Sequence, residues 1–323
     1  MTPPERIEKM LSVIIPAYNE QENIEKTAQT IYGILKKENI PCEIIFVDDG
    51  SRDDTWKIID RLTEENDSIR GLKFSRNFGK EGALFAGLGA CTGDCAVFID
   101  CDLQHPPELI PEMYELWKQG YEVVEAVKAS RGKENLIYKI FAKGFYRLMK
   151  NSANVNLDRA SDYKLLDRKA IDALNEMPER LTFFRALSSW VGFKTTQIEF
   201  NVAPRNAGTT KWNFKKLLKF ALNNITSFTN LPLQIITGMG AVFFIFAVVL
   251  GIQTLVRYFG GTADNGFTTV ILVTLITGSF IMLGLGVIGY YMAKIYEEIK
   301  FRPRYIVSID TKKRKEARKE NEE

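Results

Sequence analysis

The sequence contains one histidine, His105, and four cysteines among 323 residues. Its net charge is +3, which gives no support for nucleic acid as a partner. The first ten residues, MTPPERIEKM, lack the apolar core of a secretory signal peptide. We therefore expect the N-terminal domain to stay in the cytoplasm. Cysteines in that compartment are expected to be free thiols rather than a disulfide framework.

Charge is absent from two long apolar segments, residues 235–256 and 267–293. Each exceeds the roughly 20 residues that a helix needs to cross the hydrocarbon core of a membrane. Two buried core helices are the alternative, but soluble helices of this length usually have a polar face. Lys and Arg are enriched on both outer flanks of the pair, which the positive-inside rule assigns to the cytoplasm. The pattern predicts a transmembrane hairpin over residues 231–293, in an integral protein of the cell membrane.

The N-terminal part alternates short apolar runs with helical patterns. Strands are predicted at LSVIIP, at CEIIFVDD, in a segment ending at Phe74, and at CAVFID. Continuous apolar strands separated by helices are typical of an α/β domain whose mostly parallel sheet is covered on both faces. The predicted helices span about residues 21–37, a segment beginning near residue 53 or 54, and residues 80–91.

Polar clusters follow three of these strands, at PAYNE (16–20), VDDGS (47–51) and DCDLQ (100–104). Ligands of parallel sheets bind beyond the carboxyl ends of the strands. Asp100 and Asp102 are separated by one residue, so both carboxylates can face the same opening. Carboxylate oxygens suit Mg²⁺ or Mn²⁺, with substrate phosphates completing the coordination shell.

A zinc site is the alternative use of this region, because the residue types of Cys91, Cys95, Cys101 and His105 are suitable. The spacing between the cysteines does not match a zinc knuckle. The cysteines are better interpreted as small packing residues. His105, directly before Pro106, is interpreted as a structural loop residue.

Four motifs are similar, in order and spacing, to those of the inverting family 2 glycosyltransferases with the GT-A fold. They are PAYNE, VDDGSRDDT, FSRNFGKEGALFAGL and DCDLQHPPEL, within about the first 110 residues. The later SDYKLLDR, RNAGTTKW and the two apolar segments resemble the polyprenyl-phosphate branch, which includes dolichyl-phosphate mannose synthases and bactoprenol glucosyltransferases. The chain departs from the branch at residues 161–164, Ser-Asp-Tyr-Lys for the frequent Gly-Asp-Phe-Arg, and at 210–212, Thr-Lys-Trp for Ser-Lys-Tyr.

The resemblance implies a role for individual residues. Asp100, Asp102 and Gln104 would hold the cation, with Asp102 and Asp162 as catalytic residues, the latter orienting the acceptor or acting as a base. The residues implied to contact phosphate groups are Arg131, Arg205 and Lys211. Those implied to bind the nucleotide sugar are Pro16, Tyr18, Glu20, Val47, Asp49, Asp100, Cys101, Asp102, Arg205 and Lys211.

Several residues in or beside these motifs have a purely structural interpretation. Asp48 and Asp53 fit residues that shape a turn and cap the following helix. Pro16 fits the end of a strand, and Arg131 fits a solvated loop charge.

The implied activity is the transfer of one sugar from a nucleotide sugar to a polyprenyl phosphate, such as undecaprenyl phosphate, on the cytoplasmic leaflet. UDP-glucose is favoured as donor, with UDP-linked modified pentoses and GDP-mannose left open. A processive polysaccharide synthase would need more spanning helices and a Gln-x-x-Arg-Trp motif. A non-enzymatic scaffold with a decayed transferase fold would not need the three acidic motifs. We also expect a homo-oligomer, because a two-helix hairpin rarely forms a stable unit alone.

The expected domain organisation places the catalytic domain at residues 1–212 and the hairpin at 231–293. Basic amphipathic helices at 137–150 and 213–230 are expected to lie in the headgroup layer. Residues 294–323 are expected to form a basic cytoplasmic tail, whose last segment, KKRKEARKENEE (312–323), is expected to be disordered and attracted to lipid.

Overall fold

The computed structural model describes residues 9–128, 161–177, 179, 183–200, 231–260 and 266–322. The amphipathic helices predicted at 137–150 and 213–230 lie outside the described residues, as do Arg131, Arg205 and Lys211. The described part divides into two units. One contains the sheet domain together with the residues from 303 onwards, and the other contains two long apolar helices.

The first half of the sheet domain alternates strand and helix as the apolar pattern predicts. The first helix begins at Ile24 rather than at residue 21, because Glu20 O accepts hydrogen bonds from the backbone N–H groups of Asn23 and Ile24 in a preceding turn. The elements are β1 (Leu11–Ala17), α1 (Ile24–Lys37), β2 (Cys42–Asp48), α2 (Thr55–Glu65), β3 (Ile69–Phe74), α3 (Lys80–Ala90) and β4 (Cys95–Phe98).

The second half adds strands of both directions. Its elements are α4 (Ile110–Lys118), β5 (Val123–Lys128), β6 (Lys164–Asp167), α5 (Arg168–Glu176), α6 (Phe184–Trp190) and β7 (Thr195–Phe200). Strand β6 lies antiparallel between β4 and β5, and β7 is parallel to β5. Together with the parallel β4-β1-β2-β3 segment, this confirms the expected mostly parallel α/β sheet.

The central strand β1 is covered on both faces, which explains its unbroken apolar sequence. Val13 and Ile15 belong to a core cluster shared with α1, α2 and α4. Ile14 faces the other way, and a methyl group added to Gly87 of α3 would overlap it. Glycine therefore lets α3 lie directly on the strand.

The two apolar segments form α7 (Leu231–Phe259) and α8 (Phe267–Ile299). By length and composition, Pro232–Arg257 and Val270–Ile299 could cross a membrane. Their ring contact between Phe243 and Phe280, at 4.3 Å between centroids, fits an antiparallel hairpin. Most of their large apolar side chains are exposed, as expected for helices that lie in lipid rather than in a soluble core.

The C-terminal residues are ordered, so the expectation of a disordered tail is wrong. Strand β8 (Val307–Asp310) pairs antiparallel with β3 at the edge of the sheet, and α9 (Thr311–Glu322) follows it. The sheet order is therefore β7-β5-β6-β4-β1-β2-β3-β8. The chain leaves the sheet domain for α7 and α8 and then returns to it.

Ion pairs to residues far away in the sequence hold β8 and α9 against the sheet domain. The local composition of the segment, which indicates disorder, does not reveal these partners. The guanidinium of Arg70 on β3 donates two hydrogen bonds to Asp310, at 3.1 and 2.7 Å, and both side chains are largely buried. Arg314 of α9 donates to Asp60 at 2.6 Å and to Glu64 at 3.0 Å. A charged sequence without an apolar face can be ordered when its partners lie about 240 residues away in the chain.

We predict that Arg70→Met lowers the free energy of unfolding by about 3 kcal/mol, because it leaves the Asp310 carboxylate buried without its counter-charge. The matched control is Arg61→Met, which removes exposed pairs with Glu25 and Glu65 and should cost less than about 1 kcal/mol. Denaturant unfolding of the full chain in detergent, followed by tryptophan fluorescence, measures both. Equal losses in the two variants would contradict the assignment.

Candidate functional site

Three polar turns meet at one edge of the sheet because β4, β1 and β2 are adjacent and parallel. Their carboxyl ends border a cavity of about 350 Å³. The loop after β3 and the first turn of α3 complete its wall. The lining residues are Pro16, Ala17, Tyr18, Glu20, Asp49, Asn77, Gly79, Lys80, Ala83, Asp100, Cys101 and Asp102.

Most described residues implied to bind the nucleotide sugar border this cavity. Val47 is the exception, since its side chain is fully buried within β2. Arg205 and Lys211, and the phosphate-contacting Arg131, lie outside the described residues. Those that border the cavity are Pro16, Tyr18, Glu20, Asp49, Asp100, Cys101 and Asp102.

Hydrogen bonds between the turns after β1 and β2 fix the cavity's rim. The backbone N–H of Glu20 donates to Thr55 Oγ1 at 2.8 Å. Asp53 Oδ1 accepts from the Thr55 N–H at 3.1 Å, at the start of α2. Asp48 Oδ1 accepts from the Ser51 N–H at 2.9 Å. These contacts agree with the turn-shaping interpretation of Asp48 and Asp53, but the N-cap of α2 is Asp54, which makes no side-chain cap hydrogen bond.

Asp49 organises the loop that precedes α3. Its two carboxylate oxygens accept hydrogen bonds from the backbone N–H groups of Phe78, at 2.6 Å, and Gly79, at 2.9 Å. Gly79 has φ of +96°, a conformation that favours glycine. Burial raises the pKa of Asp49, although these two N–H groups oppose the shift. Asp49, which the resemblance implies to contact the nucleotide, thus also fixes the loop from which Lys80 reaches the cavity.

Lys80 connects two carboxylates that are far apart in the sequence. Its Nζ atom lies 2.6 Å from Asp100 Oδ1 and 3.2 Å from Asp162 Oδ2. Burial disfavours the charge of Lys80, but the two carboxylates outweigh this effect and raise its pKa. The ammonium is therefore charged throughout the physiological pH range.

Asp162 lies between Lys80 and a second cation, Arg185 of α6. The guanidinium of Arg185 donates to both Asp162 oxygens, at 3.1 and 2.9 Å. Burial would raise the pKa of this carboxyl group, but Arg185 and Lys80 lower it well below its usual value. A carboxylate stabilised in this way is a weak proton acceptor. Of the two roles implied for Asp162, orientation fits this environment better than general base.

Asp100 and Asp102 border the same cavity. The Asp102 side chain is exposed, and its Oδ1 accepts from the Gln104 N–H at 3.1 Å. Among the described residues, no three His, Cys, Asp or Glu side chains form a complete metal cage. Two carboxylates beside an open cavity fit a hard divalent cation that takes its remaining ligands from a diphosphate and water.

His105 packs in the loop after β4 and is not among the residues that line the cavity, although its Nδ1 atom lies 3.9 Å from Asp100 Oδ2. Its ring stacks on Tyr163 at 5.1 Å between centroids and meets Phe200 edge-on at 5.7 Å. Burial lowers its pKa. Cys101 and Cys95 belong to the buried core cluster, as their interpretation as packing residues predicts.

The residue-by-residue interpretation missed Lys80, Asn77 and Arg185. A usable signal existed for the first two, because the polar segment 75–80 follows a parallel strand and opens a helix, as the other site turns do. No local signal marks Arg185, which reaches the site only because α6 packs near Asp162.

The chain matches a known protein family and is similar to several of its members along most of its length. The model of the family described as "Glycosyl transferase family 2" matches residues 12–174. An uncharacterized glycosyltransferase from Synechocystis sp. is 38% identical over 303 residues, covering 92% of this chain and 94% of that protein. A prophage bactoprenol glucosyl transferase homolog from Escherichia coli is 37% identical, covering 92% and 98%. A bactoprenol glucosyl transferase from Shigella phage SfV is 35% identical, covering 94% and 99%.

Among solved structures, glucosyl-3-phosphoglycerate synthase from Mycobacterium tuberculosis is similar, with 21% sequence identity and a TM-score of 0.46. The match covers 68% of this chain and 78% of that one. That structure is a complex with Mn²⁺, UDP-glucose and glycerol 3-phosphate.

Burial of the Glu81 carboxyl group should make the stability of the fold depend on pH. Burial raises its pKa to about 7 from the usual 4.5, against the opposing hydrogen bond from the Phe184 N–H. The folded state therefore holds a proton that the unfolded state releases above pH 4.5, so stability falls as the pH rises from about 4.5 through 7. We predict that Glu81→Gln reduces this fall, as measured by thermal unfolding between pH 5 and 8.5.

The matched control is Glu115→Gln, at an exposed carboxylate that pairs with Lys118. It should leave the pH dependence of the unfolding temperature unchanged. An identical pH dependence in the Glu81 variant and the unaltered protein would contradict the assignment.

Proposed function

Because the chain belongs to glycosyl transferase family 2, and is therefore a glycosyltransferase, we propose that it transfers one sugar from a nucleotide sugar to a polyprenyl phosphate. The observation that carries the proposal is end-to-end similarity to bactoprenol glucosyl transferases. The matches cover 92–94% of this chain and 97–99% of the relatives so named. The similarity thus includes both the cavity of the sheet domain and the two apolar helices.

The cavity suits the departure of a nucleotide diphosphate. A divalent cation, Mg²⁺ or Mn²⁺, held by Asp100 and Asp102, with Gln104 as a further ligand that the resemblance implies, would neutralise the negative charge that develops on the diphosphate. Tyr18, 42% exposed at the rim, offers an aromatic face to the nucleotide. Asp102 is the residue with the most direct role, because its carboxylate is exposed at the cavity.

The acceptor explains why the site needs no strong base. A phosphate monoester has a second pKa of about 6, so it is mostly dianionic at neutral pH. One of its oxygens attacks the anomeric carbon as the bond from that carbon to the diphosphate oxygen breaks, and the electron pair leaves with the nucleotide diphosphate. No proton has to be removed. This single displacement inverts the anomeric carbon, so an α-linked donor gives a β-linked product.

The return of the chain to the sheet supports a defined membrane topology. If α7 and α8 each cross the membrane, strand β8 and the sheet domain lie on the same side, as the pairing of β8 with β3 requires. The excess of Lys and Arg on both outer flanks of the helices supports a cytoplasmic location for that side. We accordingly propose a catalytic domain at the cytoplasmic leaflet, where the phosphate of the lipid is presented. A homo-oligomer is also proposed, and crosslinking in membranes tests it.

UDP-glucose is the donor that we propose, in agreement with the glucosyl transfer named in the relatives. The test is an assay of membranes containing the full chain with undecaprenyl phosphate and radiolabelled UDP-glucose, UDP-linked pentoses or GDP-mannose. Label in the lipid phase after addition of UDP-glucose is the expected result. A polymeric product would instead indicate a processive synthase. No lipid-linked label with any donor would contradict the proposed function.

We predict that Asp102→Asn lowers the transfer rate at least about 100-fold, because the cation loses a negatively charged ligand. Folding should be unaffected, since the side chain is exposed. Asp172→Asn, at an exposed carboxylate of α5 that pairs with Arg168, is the matched control and should retain full activity. Undiminished transfer by the Asp102 variant, with an unchanged unfolding temperature, would remove its assigned role.

A further inference from the structure

Lys80 occupies an unusual position for a cation, because it contacts a carboxylate that is also assigned to a metal ion. Its Nζ atom lies 2.6 Å from Asp100 Oδ1. A divalent cation bound to either oxygen of this carboxylate would lie close to the ammonium group, and the two positive charges would repel each other. The two groups therefore compete for Asp100.

The position of Lys80 is determined by its surroundings. Asp49 holds the two preceding residues by their backbone N–H groups, and α3 begins at Lys80 itself. On the far side, Asp162 accepts from Nζ at 3.2 Å and is itself held by Arg185. The ammonium is thus anchored from both sides at a point beside the cation ligands.

A third N–H group of Lys80 is available to a ligand. An ammonium group has three donors, and among the described residues the acceptors within contact distance are Asp100 and Asp162. Lys80 also lines the cavity together with Asp102. A diphosphate in this cavity would place negative charge between the ammonium and the cation.

We propose that Lys80 makes binding of the divalent cation depend on the nucleotide diphosphate, an inference that rests on the proposed use of a nucleotide sugar. Without diphosphate, the ammonium repels the cation and engages Asp100. With diphosphate bound, Lys80 donates its remaining N–H to a phosphate oxygen, and the added negative charge offsets the repulsion. Lys80 thereby links the binding of the cation to the binding of the donor.

The proposal predicts a reciprocal coupling, because two ligands that favour each other's binding must do so by the same factor. In the unaltered protein, UDP should increase the affinity for Mn²⁺ at least about tenfold, within the usual range of such couplings. Lys80→Met removes the charge and keeps much of the side-chain volume. This variant should bind Mn²⁺ alone more tightly than the unaltered protein, while UDP increases its affinity less.

The experiment is a titration of the full chain in detergent with Mn²⁺, with and without UDP, followed by electron paramagnetic resonance of the free ion. Tighter Mn²⁺ binding with reduced coupling in Lys80→Met, together with slower sugar transfer, is the expected result. A residue needed only for folding would lower the Mn²⁺ affinity and the unfolding temperature together. Mn²⁺ affinity and coupling that equal those of the unaltered protein, or weaker Mn²⁺ binding, would overturn the proposal.

Two further variants control the interpretation. Lys80→Arg keeps the charge and should retain weak Mn²⁺ binding in the absence of UDP, which also provides a test if the methionine variant does not fold. Lys118→Met, at an exposed lysine of α4 that pairs with Glu115, should leave Mn²⁺ binding and transfer unchanged. If Lys80→Arg also binds Mn²⁺ alone more tightly, charge is not the cause and the proposal is overturned.

The outcome also separates this inference from the proposed function. Transfer to lipid by the unaltered protein, combined with unchanged coupling in Lys80→Met, would overturn the role of Lys80 and leave the function standing. The expected coupling without transfer to lipid from any nucleotide sugar would overturn the acceptor assignment while supporting the role of Lys80. Absence of any Mn²⁺ or UDP binding would overturn both.

Discussion

Repulsion between carboxylates at one edge of the sheet is the constraint on which the rest of the site depends. Adjacent parallel strands end together there and bring their acidic turns into one cavity. Each carboxylate has a different source of compensation. Asp49 is held by backbone N–H groups, Asp162 by Arg185, and Asp100 by Lys80. Asp102 stays exposed at the cavity, which is why it is the best placed to hold a cation.

The charges around Asp162 help to distinguish the two roles that the resemblance implies for it, orientation of the acceptor and general-base catalysis. Asp162 is stabilised by two cations that lower its pKa, an environment that fits the orienting role better than the role of general base. With the proposed phosphate acceptor this arrangement would be sufficient, because the attacking oxygen would already be ionised. The chemistry of the acceptor and the electrostatics of the site therefore agree.

The two long apolar helices are inserted within the chain of the sheet domain rather than appended to its end. Strand β8 and helix α9 follow the apolar hairpin and bind the edge of the sheet through Arg70, Asp310 and Arg314. Both ends of the hairpin are consequently tied to the domain that holds the cavity.

Local patterns in the sequence determined much of this protein: the strands up to β4, the two long apolar helices, and the acidic turns whose positions at strand ends mark the cavity. These features depend on hydrophobic periodicity and turn chemistry, which act over a few residues. Tertiary structure alone decided the partners of Lys80 and Asp162, the place of Arg185 and the order of the C-terminal segment. Each depends on contacts between residues about 20 to 240 positions apart, and no local pattern encodes which distant charge will be the neighbour.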